Sequence, residues 1–263
     1  MIRLTRVELL KIRTTRTAYG LIAAAALLTA LLAAGHASAA GGSQLASSAG
    51  LSAEVTLTGW AMLFAMLMGV MVASGEFRHS TATVTYLACP RRSRVLAAKA
   101  AAAAAAGAIF GLTGAAIATG IGLGVTASRG EPITLSAATL VRDDLGAVIG
   151  AALLAALAVA VGSLIRSQVA GVVGVLIWSL LIEPIIGSLF TSIQPYLPYA
   201  AATTLAGASP GNGPGDLHVH VRGVAAAQPA APLPFGAAVA LLGALVIAVS
   251  VLAAYSRLRA DIT

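Results

Sequence analysis

The chain has 263 residues, 59% hydrophobic and 10% charged, with a formal net charge of +7 and a mean hydropathy of +0.93. An ordinary soluble domain is about 25% charged, so this composition excludes a water-soluble globule, and several apolar runs reach the roughly 20 residues that cross a bilayer. The charge does not point to nucleic acid, because the basic residues flank apolar runs, where they set membrane orientation. The expected class is an all-α polytopic membrane protein in a single domain, residues 1–263. The one cysteine, Cys89, excludes an intrachain disulfide framework.

Residues 1–17 carry Arg3, Arg6, Lys11, Arg13 and Arg16. The apolar residues between them form a blurred helical stripe, a weak signal for a helix lying on the membrane. Residues 18–34 are the first expected span. With Ala37-Ser38-Ala39 behind it, this stretch also has the features of a cleavable secretory signal; the long basic start and the further membrane spans that follow argue against cleavage. Residues 35–54 read as a short flexible loop. The second span is 55–74, with Trp60 as an interface anchor near its outer end. A charged, hydroxyl-rich segment follows, 75–99, unlike anything else in the apolar body.

The third span is set at 104–127, because the alanines before it are close to neutral for insertion. Residues 128–143 form an outer loop, with a short interfacial helix expected over 135–144. The fourth span is 145–165, a tight turn covers 166–168, and the fifth span is 169–190. The stretch 191–234 is rich in proline and glycine. Its early part, 193–205, is apolar enough to sit at or dip into the membrane interface, and the later part reads as an exposed outer loop. The sixth span is 235–254, closed by Tyr255, Arg257 and Arg259.

Six spans put both termini on one side. With the N-terminus inside, the inner segments hold thirteen Lys and Arg and the outer segments three, Arg129, Arg142 and Arg222. That bias predicts cytoplasmic N and C termini in the inner membrane of a bacterium and a cytoplasmic segment 75–99, with Cys89 a reduced thiol. The pairs Gly107-xxx-Gly111, Gly120-xxx-Gly124 and Gly146-xxx-Gly150 offer small-residue faces on the third and fourth spans for close packing, within the chain or between copies.

The constellations of common enzymes are absent. A P-loop needs a lysine behind a glycine-rich loop; Lys11 and Lys99, the two lysines of the chain, follow no such loop. H-E-x-x-H is missing. Gly213-Pro214-Gly215-Asp216 matches the G-x-G-D of intramembrane aspartyl proteases, but it sits in a loop without a partner aspartate in a span. His218, His220 and Asp216 lack the further ligands that would define a zinc site. Glu183 is the acid well inside an apolar run, and Pro184 follows it. At 1.5 Å per residue it lies about 22 Å from the turn at Gln168, in the outer part of the bilayer. An intramembrane carboxylate is a candidate gate or path residue, and Pro184 is expected to break the helix and free a carbonyl. The alternative is a carboxylate that caps or pairs locally.

Within 75–94, Phe77, Val84 and Leu87 fall on one helical face with Thr81 between them. Glu76 suits the first turn of a helix, and Pro90 ends it ahead of Arg91, Arg92 and Arg94. An apolar stripe amid polar residues argues for a partner surface rather than a plain loop. Gly75-Glu76-Phe77-Arg78 with Thr81, then Pro90-Arg91-Arg92 and Lys99, together with Glu183-Pro184, Pro195, Pro198 and the six-span layout, resembles the permease subunits of ABC-2-type transporters. The small Ala-rich bacterial forms are the nearest. The resemblance implies a type V exporter-like transmembrane domain. Residues Glu76, Phe77, Arg78, Thr81, Val84, Leu87, Pro90, Arg91 and Arg92 would form a cytoplasmic coupling helix between spans 2 and 3. That helix docks on a separate ATPase, which binds ATP and Mg; the chain itself needs no cofactor and no catalytic residue. The resemblance further implies export, a homodimer or a paralogous second permease, and short outer helices between the fifth and sixth spans. Glu183 and Pro184 remain the path or gate candidates. The long stretch 207–234 departs from the family pattern, and no residue pattern discloses the substrate. The rivals are an ion-gradient-driven secondary transporter, disfavoured by the lack of an internal repeat, and a non-transport membrane scaffold.

Overall fold

The computed structural model describes residues 2–78, 92–165, 167–208 and 231–258. Among these residues all regular structure is helical, and six helical stretches are long and apolar enough to cross a membrane. The chain opens with α1 (Ile2–Thr14) and α2 (Arg16–Ala39). Two short helices, α3 (Gly42–Ala46) and α4 (Ser48–Thr56), lead into α5 (Gly59–Arg78). Then come α6 (Arg92–Ser128), α7 (Ala137–Leu164), α8 (Gln168–Ile177), a π-helical turn (Trp178–Ile182) and α9 (Glu183–Leu189). A 3-10 turn (Gln194–Tyr196) and α10 (Pro198–Leu205) precede the last helix, α11 (Phe235–Leu258).

Glycines and alanines bring these helices close, as packing in lipid demands. A Cβ on Gly107 of α6 would lie 2.5 Å from the Ala151 carbonyl oxygen of α7, and one on Gly111 would lie 2.7 Å from that of Ala147. The pairing order makes α6 and α7 antiparallel. Gly69 of α5 meets Ala155 in the same way, and Gly162 meets Val70 and Ala73, so α5 runs parallel to α7. α7 is the central helix, touching α5, α6, α10 and α11. One buried face runs through Gly146, Ala147, Gly150, Ala151, Leu154, Ala155 and Ala158, mostly small residues at three- and four-residue spacing, and from Leu154 to Ala160 the helix is buried all round. The Gly107 and Gly146 pairs therefore pack within the chain, whereas Gly120 and Gly124 meet nothing among the described residues.

The helices run past several expected boundaries. Residues 35–54 are not a loop. α2 continues to Ala39, and α4 starts behind Ser47, whose hydroxyl accepts from the Gly50 amide at 3.1 Å, a serine N-cap. Arg129 explains the long α2: its guanidinium donates to the carbonyls of Ala37 (2.9 Å) and Ala40 (2.8 Å), satisfying acceptors that a helix end leaves open. Residues 135–144 are not a separate interfacial helix either. Ser136 caps α7 by accepting from the Thr139 amide at 3.1 Å, and the helix runs unbroken to Leu164. Two of the charges in its early turns have partners: Asp144 accepts from Thr119 at 2.8 Å, and Arg142 lies over the Phe235 ring at 5.5 Å. α6 begins at Arg92, twelve residues before the expected span. Alanine inserts poorly but is the best helix former, so the run that does not define a span still defines a helix.

Two ends of the bundle follow from these contacts. The near end holds α1, the end of α5 and the start of α6. The far end holds α3, α4, the start of α7 and α10.

Candidate functional site

Glu183 sits where the fifth membrane-length helix changes its winding. Ser167 caps the start of α8 by accepting from the Ala170 amide at 3.3 Å. After Ile177 the helix widens into the π-helical turn, and the Glu183 amide donates to the Trp178 carbonyl five residues back. Pro184 then falls at the second position of α9; the backbone stays helical through Ile182 and Glu183 into it, and the proline donates no bond to the turn behind. The chain is thus not broken at Pro184, as the sequence suggests; the wide turn takes up the register change. It also carries Trp178 onto the side of Glu183, and the indole donates to Glu183 Oε2 at 2.9 Å.

The second carboxylate oxygen reaches another element. Glu183 Oε1 accepts from the backbone amide of Ala200 at 2.6 Å. Ala200 is the third residue of α10, whose first amides have no partner within the helix and carry its positive end. Glu183 is 3% exposed, so this is a buried carboxylate used as a helix cap. Three further contacts hold α10. The Tyr199 hydroxyl donates to the Gly59 carbonyl at 2.7 Å, at the joint between α4 and α5. Gly146 gives no room between α7 and the Leu205 carbonyl. Gly207, in the left-handed region at φ +82°, turns the chain away beside the Asp143 carboxylate. Ser179, inside the wide turn, donates to Met66 Sδ of α5 at 3.6 Å. Glu183 therefore links the fifth long helix to α10, and α10 to the start of α5 and α7.

The near end carries a second buried charge cluster. Glu8 is the one buried residue of α1, which explains the blurred apolar stripe: the inward face of that helix is marked by an acid. Its carboxylate accepts from Lys11 at 2.7 Å and from Lys99 of α6 at 3.2 Å. Lys99 is 5% exposed and also donates to the Val72 carbonyl of α5 at 3.4 Å. Lys99 is thus part of the helical body rather than the end of a polar loop. Of the expected coupling residues, Glu76, Phe77 and Arg78 close α5 and Arg92 opens α6 in backbone terms. Their side chains lie outside the described residues, as do Thr81, Val84, Leu87, Pro90 and Arg91, and also Cys89, Asp216, His218 and His220.

At the far end, His36 Nδ1 of α2 and Glu54 Oε2 of α4 are hydrogen bonded at 2.5 Å. Glu54 is fully buried, and among the described residues its other oxygen has no partner, as is true of the buried hydroxyls of Thr29 and Thr58. Neither the Glu8–Lys99 nor the His36–Glu54 pair stands out in the sequence. A usable signal was present: these are acids and a lysine bordering runs long enough to span, where a charge needs a named partner. No protein-family model and no curated protein sequence matches the chain.

Proposed function

We propose that the chain is the membrane-spanning permease subunit of an ATP-driven transporter of the ABC-2 type, acting as an exporter. In this reading it lies in the cytoplasmic membrane of a bacterium with both termini inside. Two copies, or one copy and a paralogue, pair with ATPase subunits that bind ATP and Mg. Segment 76–92 takes the push of the ATPase into α5 and α6, and a path opens between the two permeases.

The observation that carries the reading is the joint between the fifth long helix and α10. ABC-2-type permeases are expected to place short helices between their fifth and sixth spans, and here α10 is tied to Glu183, one of the residues on which the resemblance rests. A second support is the near end. The Glu8–Lys99 pair fixes α1 against α6, one of the two helices that flank segment 76–92. α1 and that segment would together present the docking surface.

The experiment is co-purification with the ATPase encoded beside this chain, with ATP-driven transport in vesicles as the second readout. Phe77→Ala combined with Arg78→Glu should abolish both ATPase association and transport while the protein remains in the membrane. Intact association and transport would remove the coupling assignment. A gradient-driven transporter is the second reading, favoured by the buried Glu54 carboxylate, one oxygen of which has no partner among the described residues. It is distinguished by transport that persists without ATP, collapses with an ionophore and is lost in Glu54→Gln.

A further inference from the structure

The near end contains a cavity of about 550 Å³ between α1, the first turns of α2 and the middle of α6. That volume lies in the range of about 300–1,000 Å³ typical of small-molecule sites. Its wall is apolar, built from Ala18 and Ile22 of α2 and Ile109 and Phe110 of α6. Its α1 side also carries Arg6 and Arg13. These two arginines are seven residues apart, two helical turns, and so share one face of α1. Both are exposed, and among the described residues neither is paired with a carboxylate; the Glu8 carboxylate in the same helix is taken by Lys11 and Lys99.

The depth of the cavity identifies the kind of ligand. Lys99 marks the level of α1 on α6, through its bond to Glu8. Phe110 lies eleven residues further along the same helix, about 16 Å at 1.5 Å per residue. That is about half of a hydrocarbon core some 30 Å thick. The α6 wall of the cavity, Ala106 to Phe110, thus lies about 10–16 Å past the level of Lys99, within the depth of one leaflet, and the lining joins this apolar wall to the two arginines of α1. An acyl chain under a phosphate matches an apolar wall at that depth with two arginines beside it. A guanidinium pair is suited to that phosphate, because its planar fork binds phosphate oxygens in pairs, and basic pockets at a membrane surface select anionic headgroups.

We propose that this cavity is a binding site for one anionic phospholipid, its acyl chain along Ile22, Ile109 and Phe110 and its phosphate between Arg6 and Arg13. The lipid would complete the contact between α1 and the spans. The site rests on the six helices being membrane spans and does not depend on what the protein transports.

The test uses full-length protein in detergent, titrated with phosphatidylglycerol or phosphatidylcholine and read by native mass spectrometry. Phosphatidylglycerol should bind at one site about thirtyfold more tightly than phosphatidylcholine, the ratio expected for two arginines near an anionic headgroup. Arg6→Gln with Arg13→Gln should remove that preference and leave weak binding of both lipids. Ile109→Trp, which fills the cavity, should weaken both lipids alike. Arg3→Gln with Arg16→Gln, outside the cavity lining, should leave the preference intact, and soluble glycerol phosphate should not displace the lipid. The assignment is overturned by equal binding of the two lipids to the wild type, by a preference that survives the Arg6/Arg13 change, or by an equal loss in the Arg3/Arg16 control. Displacement by glycerol phosphate alone would overturn it as well, since the ligand would then be a free anion.

Discussion

The carboxylate of Glu183 and the backbone amide of Ala200 are 2.6 Å apart, and this bond spans the turn between the fifth long helix and α10. The same carboxylate holds the indole of Trp178. A single buried acid thus fixes both the wide turn below it and the short helix beside it. An amide cannot replace it fully, because one of its two terminal atoms is itself a donor and both neighbours are donors. Glu183→Gln should destabilise the protein by about 1–3 kcal/mol, the range for a buried hydrogen-bonding group left without its partner. Trp178→Phe should cost less in the Glu183→Gln background than in the wild type. Thermal unfolding in detergent measures both, and additive effects of the two changes would show that they do not share this bond. Under the exporter reading, Glu183→Gln also lowers ATP-driven transport more than it lowers the amount of protein in the membrane.

The Glu8–Lys99 pair joins α1 to the start of α6, with both side chains less than one-tenth exposed. Removing one partner leaves the other buried charge compensated only in part, Glu8 by the half-exposed Lys11 and Lys99 by the Val72 carbonyl among its contacts. Glu8→Ala, or Lys99→Ala, should destabilise by about 3–5 kcal/mol, whereas Glu8→Leu combined with Lys99→Met should recover most of that loss. A double-mutant cycle from unfolding in detergent tests it, and equal damage by the single and double changes would mean that the pair contributes only through shape. The Lys11 contact to Glu8 is half exposed, so Lys11→Ala should change little, as a solvent-screened pair does.

The helical membrane architecture was legible because its signal is length and apolarity together, and the runs behind α2, α5, α6, α7, α8–α9 and α11 supply both. The boundaries were less legible, because helix ends here are decided by long-range contacts. Arg129 extends α2 from a distance of about ninety residues along the chain, and no local rule connects it to Ala37. The stretch 35–54 has the glycine and serine content of a loop, yet Ser47 uses its hydroxyl as a cap and His36 finds Glu54. Glu183 was visible as an acid within an apolar run. Its partner was not, since the Ala200 amide has no side-chain signature. Pro184 read as a break because the preceding wide turn cannot be inferred from Trp178 to Ile182. Glu8 was hidden by its own context, being an inward acid on a helix whose larger apolar residues, such as Ile2 and Leu10, are exposed.

Among the described residues, His36 is the hydrogen-bond partner of Glu54, whose other oxygen is buried and unpartnered. His36→Ala leaves the whole carboxylate without a bond in the interior. It should destabilise more than Glu54→Gln, which removes the charge and keeps a hydrogen-bonding side chain. Comparing the two unfolding midpoints in detergent at one pH decides the order. If His36→Ala proves the milder change, Glu54 is neutral in the folded protein and the imidazole contributes little.

Gly146 and Gly120 offer a matched comparison, since both begin a small-xxx-small pair but only one is in contact. A Cβ on Gly146 would fall 1.7 Å from the Leu205 carbonyl oxygen, while one on Gly120 meets nothing within 4 Å. The Leu205 carbonyl is backbone at the end of α10, so it cannot rotate away as a side chain would, and α10 itself must shift. That shift pulls on the Glu183–Ala200 bond at the other end of the same short helix. Gly146→Ala should therefore destabilise by about 1–3 kcal/mol, the usual effect of overpacking. It should also couple to Glu183→Gln, because a displaced α10 no longer offers its amide at the right distance. Gly120→Ala should be neutral or slightly stabilising, since alanine is favoured over glycine within a helix. Unfolding of the four single and double variants in detergent measures this. If the two alanine changes have equal effect, the close approach of α7 and α10 is not maintained in the membrane, and the route from Glu183 to α7 through α10 falls with it.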